Sequence, residues 1–291
     1  MNNRLRGYLS IFVAAFFWGS SATVAKSLFQ HNVVPLLLIE SRVIIAALVL
    51  LVFSLVARRD ILKISFVDVA GFAILGIVGV AGANYTYYMA IQKMNVPLAI
   101  LMQYTAPVFV AVYMLLTKRE SISLPKTTAI VLALAGCTIM LGLLNPNVHI
   151  GVVGAVLGLS SALTFAFFNV YTKTAFKNYP LWTGITYTLL AGSAFWLLLD
   201  LFVRPSIGPF SQSVIWSLIT FSMISVLIPY FFYFTGLRYL LPSTAVIIST
   251  MEPVVAIATA FLFLGERLGM FQAAGGILIV SAVVLLEVKR E

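Results

Sequence analysis

Apolar residues run through this chain in long blocks, and the polar punctuation between them falls at fairly even intervals. The breaks lie at DILKISF, KRESISLPK, LNPNVHI, FKNYP, RPSIGPF and RYLLP. A helix rises about 1.5 Å per residue and needs roughly 20 mostly apolar residues to cross a hydrocarbon layer. Measured against that length, the blocks predict ten spans: 7–29, 34–57, 67–91, 96–117, 126–144, 151–173, 180–203, 212–237, 241–264 and 268–288. The separations are shortest at Asn95 and Gly265. The blocks lack the period-two polar alternation of barrel strands, so helices are expected. The expected fold class is all-α, a polytopic membrane protein with ten transmembrane helices.

The pattern also repeats. Tyr88, Lys93 and Pro97 in the first half return 145 residues later as Tyr233, Arg238 and Pro242. Pro107 and Glu120 return 146 residues later as Pro253 and Glu266. A weaker echo joins FWGSSATVAKSLF to TFAFFNVYTKTAF, matching Trp18 to Phe165 and Lys26 to Lys173. The division predicted is 1–146 and 147–291, five helices each. Five is odd, so the second repeat must cross the membrane in the opposite sense. Such a 5+5 inverted repeat is a recurrent plan among secondary transporters, with binding near the midplane.

Composition strengthens the membrane reading. Hydrophobic residues make up 62% and charged residues 9% of the 291, whereas soluble domains are about 25% charged. The net charge of +9 follows topology. With the N-terminus inside, the inner segments carry Arg4, Arg6, Arg58, Arg59, Lys63, Lys118, Arg119, Lys126, Lys173, Lys177, Arg238, Lys289 and Arg290. The outer turns carry only Lys93, Arg204 and Arg267, which argues for both termini in the cytoplasm. No nucleic-acid footprint is read from this charge. The first span is too long for a signal-peptide core and carries Trp18 and Lys26, so it is read as retained. Cys137 is the single cysteine, which excludes an internal disulfide and a cysteine metal cage.

The repeated motifs make the chain resemble the drug/metabolite transporter superfamily, specifically its ten-helix EamA-like exporters. The marks are FFWGS at Phe16–Ser20, ESRVIIAA around Arg42, APVFVAVYMLLTKRE in the fourth span and MEPVVAIATAFLFLGE in the ninth. The resemblance covers nearly the whole chain. It implies the 5+5 repeat, cytoplasmic ends, residence in the cytoplasmic (inner) membrane, and export of small metabolites or drugs. Pro107 and Pro253 match the proline of each repeat, and Glu266 matches the Gly-Glu ending. The first copy departs from the pattern with Lys118-Arg119-Glu120.

Candidate chemistry centres on Glu252, about eleven residues from each end of the ninth span. A charge at that depth costs about 2.5–3.5 kcal/mol on insertion scales unless it faces a cavity or a partner. Pro253 removes a backbone donor beside it, and Pro107 does the same in the fourth span. These two prolines are the predicted helix-break positions. Gln103 and Tyr104 lie at the equivalent depth. Asn84 and Tyr88 are four apart in the third span and share a face, while Tyr85 and Tyr87 point elsewhere. Tyr230 and Tyr233, three apart in the eighth span, face one way. Trp18 supplies an aromatic wall, Asn169 an amide and Arg42 a contact for an anion or carboxylate. Glu40 and Arg42 are two apart and do not share a face. Lys26 is a candidate for a gate. His31 and His149 belong to outer turns, and Gly151, Gly154 and Gly158 permit close helix contact.

The expected function is an alternating-access secondary transporter that exports small metabolites such as amino acids or amphipathic compounds. The alternative is a passive channel or facilitator for small polar solutes. An enzyme is not expected, because no nucleophile–base pair, paired acids or HExxH motif occurs. No cofactor or metal is expected, and the absence of a Walker A pattern argues against direct ATP driving. The expected partners are a small-molecule substrate and membrane lipids, with a monomer assumed and dimerisation left open.

Overall fold

The computed structural model describes residues 2–30, 35–94, 96–121, 123–143, 151–203, 212–265 and 269–288. These residues form helices and connecting turns, with no strand among them. The chain opens with α1 (Asn3–Gln30) and α2 (Pro35–Ala57). Helix α3 (Phe66–Ile74) continues through a π-helical stretch at Leu75–Gly82 into α4 (Ala83–Lys93). Next come α5 (Val96–Gln103), α6 (Ala106–Leu116) and α7 (Leu124–Met140). The later part holds α8 (Val152–Ala175), α9 (Leu181–Val203) and α10 (Gln212–Ser222). A second π-helical stretch at Met223–Leu227 leads into α11 (Ile228–Tyr239). Helices α12 (Pro242–Ser249), α13 (Glu252–Leu264) and α14 (Met270–Val288) complete the order.

Among the described residues eight helical stretches are long and apolar enough to cross a membrane and α7 is a shorter apolar helix, against the ten spans expected. Helix α1 runs 28 residues and starts at Asn3, ahead of the predicted boundary at 7. Helix α1 is not among those eight stretches. Large apolar side chains such as Val56, Leu116, Phe202 and Phe263 point outward, as a lipid solvent requires. Small ones such as Ala14, Ala46, Ala47 and Ala133 fill the helix contacts.

The packing follows a paired order: α1 lies on α11, α4 on α8, α7 on α14, and α2 on α9. The α7–α14 crossing is a close one. A Cβ on Gly136 would come within 2.7 Å of the Gly275 carbonyl oxygen, so only glycine fits that crossing. Gly154 and Gly158 sit against Met94 and Met102 of the same chain, which accounts for this spacing by internal contact.

One end of the bundle is bound by polar ties between the first and second halves. Arg4 donates to the Leu286 carbonyl at 2.9 Å, and Tyr187 donates to the Leu62 carbonyl at 2.9 Å. The Tyr179 hydroxyl donates to Asp68 and accepts from the Ser65 amide at 3.2 Å. Glu120 accepts from Lys126 at 3.0 Å and from the Ser243 hydroxyl. This end carries most of the lysines and arginines of the described residues.

Candidate functional site

The site begins with two interruptions in the backbone. Between α5 and α6 the helix breaks at Tyr104–Thr105, and between α12 and α13 it breaks at Thr250–Met251. Pro107 and Pro253 occupy the second positions of the following helices, where the missing N–H would have bonded the carbonyls of Gln103 and Ser249. Tighter bonds take over in each turn: Thr105 N–H reaches Met102 at 3.1 Å, and Thr250 N–H reaches Ile247 at 3.1 Å. Both threonine hydroxyls reinforce this by donating to the same carbonyls at 2.6 Å.

Glu252 is therefore the first residue of α13 and not a mid-helix residue. Its carboxylate sits at the positive end of a half-helix dipole, which favours a negative charge by about 0.3–1 kcal/mol, and more when partly buried. That offsets part of the insertion cost and explains how a carboxylate persists at this depth. Helix α1 presses against the same spot through Gly19 of FFWGS: a Cβ there would lie 2.5 Å from the Glu252 carbonyl oxygen.

Polar and aromatic side chains from several helices gather around the second break. The Tyr104 hydroxyl lies in hydrogen-bonding range of the Glu252 carboxylate. Glu252 is also close enough to act electrostatically on Arg42, Tyr87, Tyr230 and Tyr233. Arg42 and Glu252 form no ion pair among the described residues, and both side chains are half-buried. Arg42 donates instead to Asn84 Oδ1 at 2.5 Å, while Asn84 donates to the Val80 carbonyl at 2.7 Å. The Ser222 hydroxyl ties the Arg42 carbonyl at 2.6 Å. Arg42 Nε is buried with no hydrogen-bond partner. Arg42 and Glu252 thus have separate polar partners, Asn84 for the one and Tyr104 for the other.

An aromatic wall borders this pair. The Trp18 ring lies 5.8 Å from Tyr230 and 5.0 Å from Tyr233, centroid to centroid. Tyr233 is fully buried and donates to Asn169 Oδ1 at 2.5 Å. Asn169 in turn donates to the Phe165 carbonyl at 2.8 Å.

The structure thus brings together Trp18, Arg42, Asn84, Tyr104, Asn169, Tyr230, Tyr233 and Glu252. Tyr88 and Gln103 are half-buried and make no described side-chain hydrogen bond or ring contact with the group. Tyr87 belongs to it instead, contrary to the expectation that it points elsewhere. Asn84 is three residues from Tyr87 and four from Tyr88, so spacing alone does not separate them. Ser222 was also missed, because a lone serine in an apolar run carries no pattern. The Lys26 side chain, His31, His149 and Glu266 lie outside the described residues.

Comparison with known proteins bears on this arrangement. A model of the EamA-like transporter family matches residues 5–142 and matches again over residues 152–288. The chain belongs to the EamA-like transporter family. This EamA protein is 24% identical to a Salmonella typhimurium protein named "Uncharacterized inner membrane transporter YicL", over 98% of this chain and 96% of that one. It is 26% identical to the Escherichia coli K12 "Threonine/homoserine exporter RhtA", over 74% of this chain and 70% of that one. A solved crystal structure shares the fold with a TM-score of 0.83 at 19% identity, covering 98% of this chain and 97% of the other. The EamA assignment makes the chain a multi-pass membrane transporter, and its relatives are named as transporters and not as enzymes.

Proposed function

We propose that this protein is an alternating-access exporter of small metabolites, amino acids among them, built from ten spans in two oppositely oriented halves, 1–146 and 147–291. The carrying observation is that each half breaks its helix at the same place, ahead of Pro107 and of Pro253. The pairing of helices supports the repeat. Exchanging α1 with α8 and α4 with α11 turns the α1–α11 contact into the α4–α8 contact. The two π-helical stretches fall in matching spans, and the family model matches once per half. The lysine- and arginine-rich end supports a cytoplasmic placement for both termini.

Half-helices that meet at the midplane suit solute binding, because their dipole ends and freed carbonyls are unpaired there. The opposed Arg42 and Glu252 favour a solute that carries both charges, such as an amino acid, with Trp18 and Tyr230 against its apolar part. The name of the similar exporter RhtA supports the same class.

Counterflow in proteoliposomes tests the reading. Labelled threonine, homoserine and an aromatic amino acid should each be tried with unlabelled solute trapped inside. Saturable flux accelerated by trapped solute is the expected result. Non-saturating flux that ignores the trapped solute would mark a channel instead.

A further inference from the structure

A space opens at the end of the bundle proposed to face the cytoplasm. It measures about 530 Å³ and lies where α8 and α11 run out. Lys173, Lys177 and Arg238 line it, with Asn178, and no acidic side chain does. Two carboxylates couple to this wall, and each is already engaged. Asp68 accepts from the Tyr179 hydroxyl, and Glu120 accepts from Lys126 and Ser243. Arg238 donates one N–H to the Tyr179 carbonyl at 2.8 Å, which holds its exposed guanidinium at the mouth.

A concave surface with three cations concentrates anions, and lysine and arginine bind carboxylates through charge-assisted hydrogen bonds. The floor of the space is aromatic and buried, formed by Phe176 and Phe234 with ring centroids 4.6 Å apart. Phe234 meets Phe168 at 5.3 Å, and Phe168 meets Tyr230 at 5.8 Å and Tyr233 at 5.9 Å. A continuous layer of rings thus runs along the α8–α11 seam from this space to the Arg42–Glu252 group.

We propose that this space is an entry vestibule that binds carboxylate-bearing solutes before they cross the aromatic layer to the central group. Its role in transport rests on the exporter reading, but the binding itself requires no flux.

Benzoate serves as the probe, titrated calorimetrically into the full chain in a nonionic detergent. Affinity should fall about tenfold in K173Q/K177Q/R238Q, persist in K173R/K177R/R238K, and weaken as salt is raised. Absence of benzoate binding to the wild-type chain would overturn the proposal, as would equal binding by the neutral triple variant. Phosphatidylglycerol binding that needs the same three residues and resists displacement by benzoate would also overturn it, assigning the space to a lipid headgroup. The two readings fail separately. Residue-dependent benzoate binding without solute counterflow would remove the exporter reading alone, whereas counterflow with an unchanged KM in the triple variant would remove the vestibule alone.

Discussion

The two broken helices share a backbone and differ in charge. Helix α6 begins at Ala106 and α13 at Glu252, each followed by a proline and each preceded by a two-residue turn with a threonine bonding three residues back. At the first break Ala106 is fully buried and contributes nothing electrostatic. At the second, Glu252 acts on Arg42 and on a ring of tyrosines. The two breaks therefore share one backbone geometry, and only the second carries a charged side chain. Glu120 makes the same point from another side. Its side chain is 5% exposed and bonded to Lys126 and Ser243, so it ties helices together, while Glu252 is half-buried near Arg42 with no ion pair among the described residues.

The largest expected effect comes from erasing that asymmetry. E252Q should lower the apparent affinity for a zwitterionic solute by about 10–100-fold, matching the ~1.5–3 kcal/mol carried by hydrogen bonds to a charged group. Solute titration followed by the fluorescence of Trp18 and the other tryptophans reads this directly; an unchanged affinity would remove Glu252 from the site.

Moving the charge is the sharper version. The double variant A106E/E252A keeps one carboxylate at a helix start but places it in the other half, away from Arg42. Transport should stay at least about tenfold below wild type, since one charged contact is lost. Recovery to wild-type rates would mean that either break serves equally.

The prolines should have a smaller effect. P107A and P253A each restore a backbone donor and let the helix straighten. In each variant transport should slow several-fold, because the restored N–H can bond the carbonyl four residues back and join the two half-helices. Equal transport in P107A and wild type would show that the first break is structural only.

The smallest contrast separates two neighbours. Y87F should weaken solute affinity by about two- to fivefold, in the range of one neutral hydrogen bond, and Y88F should leave it unchanged. The reverse outcome would restore the expected Asn84–Tyr88 face.

Much of the architecture was legible in the chain. The apolar blocks marked where helices run, since a hydrocarbon solvent leaves backbone groups no other way to be satisfied. The positions of Pro107 and Pro253 marked where they break, and the depth of Glu252 marked it as unusual. Less of the site was legible. A helix in lipid is apolar on every side, so periodicity does not say which face turns inward, and the 3- and 4-residue neighbours Tyr87 and Tyr88 look alike from Asn84. The separate anchoring of Arg42 by Asn84 also has no local signature, because the partners are far apart in sequence.

What the sequence determined by itself is an all-helical membrane transporter of the EamA type, with breaks beside two prolines and one carboxylate at mid-depth. These follow from the cost of unsatisfied backbone and of charge in hydrocarbon, both of which act locally along the chain. Only the tertiary structure decided which residues gather: that Arg42 and Glu252 come near each other with no ion pair among the described residues, that Tyr87 joins them, and that Glu120 is tied down by Ser243. Those outcomes depend on how helices rotate and cross when small residues such as Gly19 let them close together, and no single segment encodes that choice.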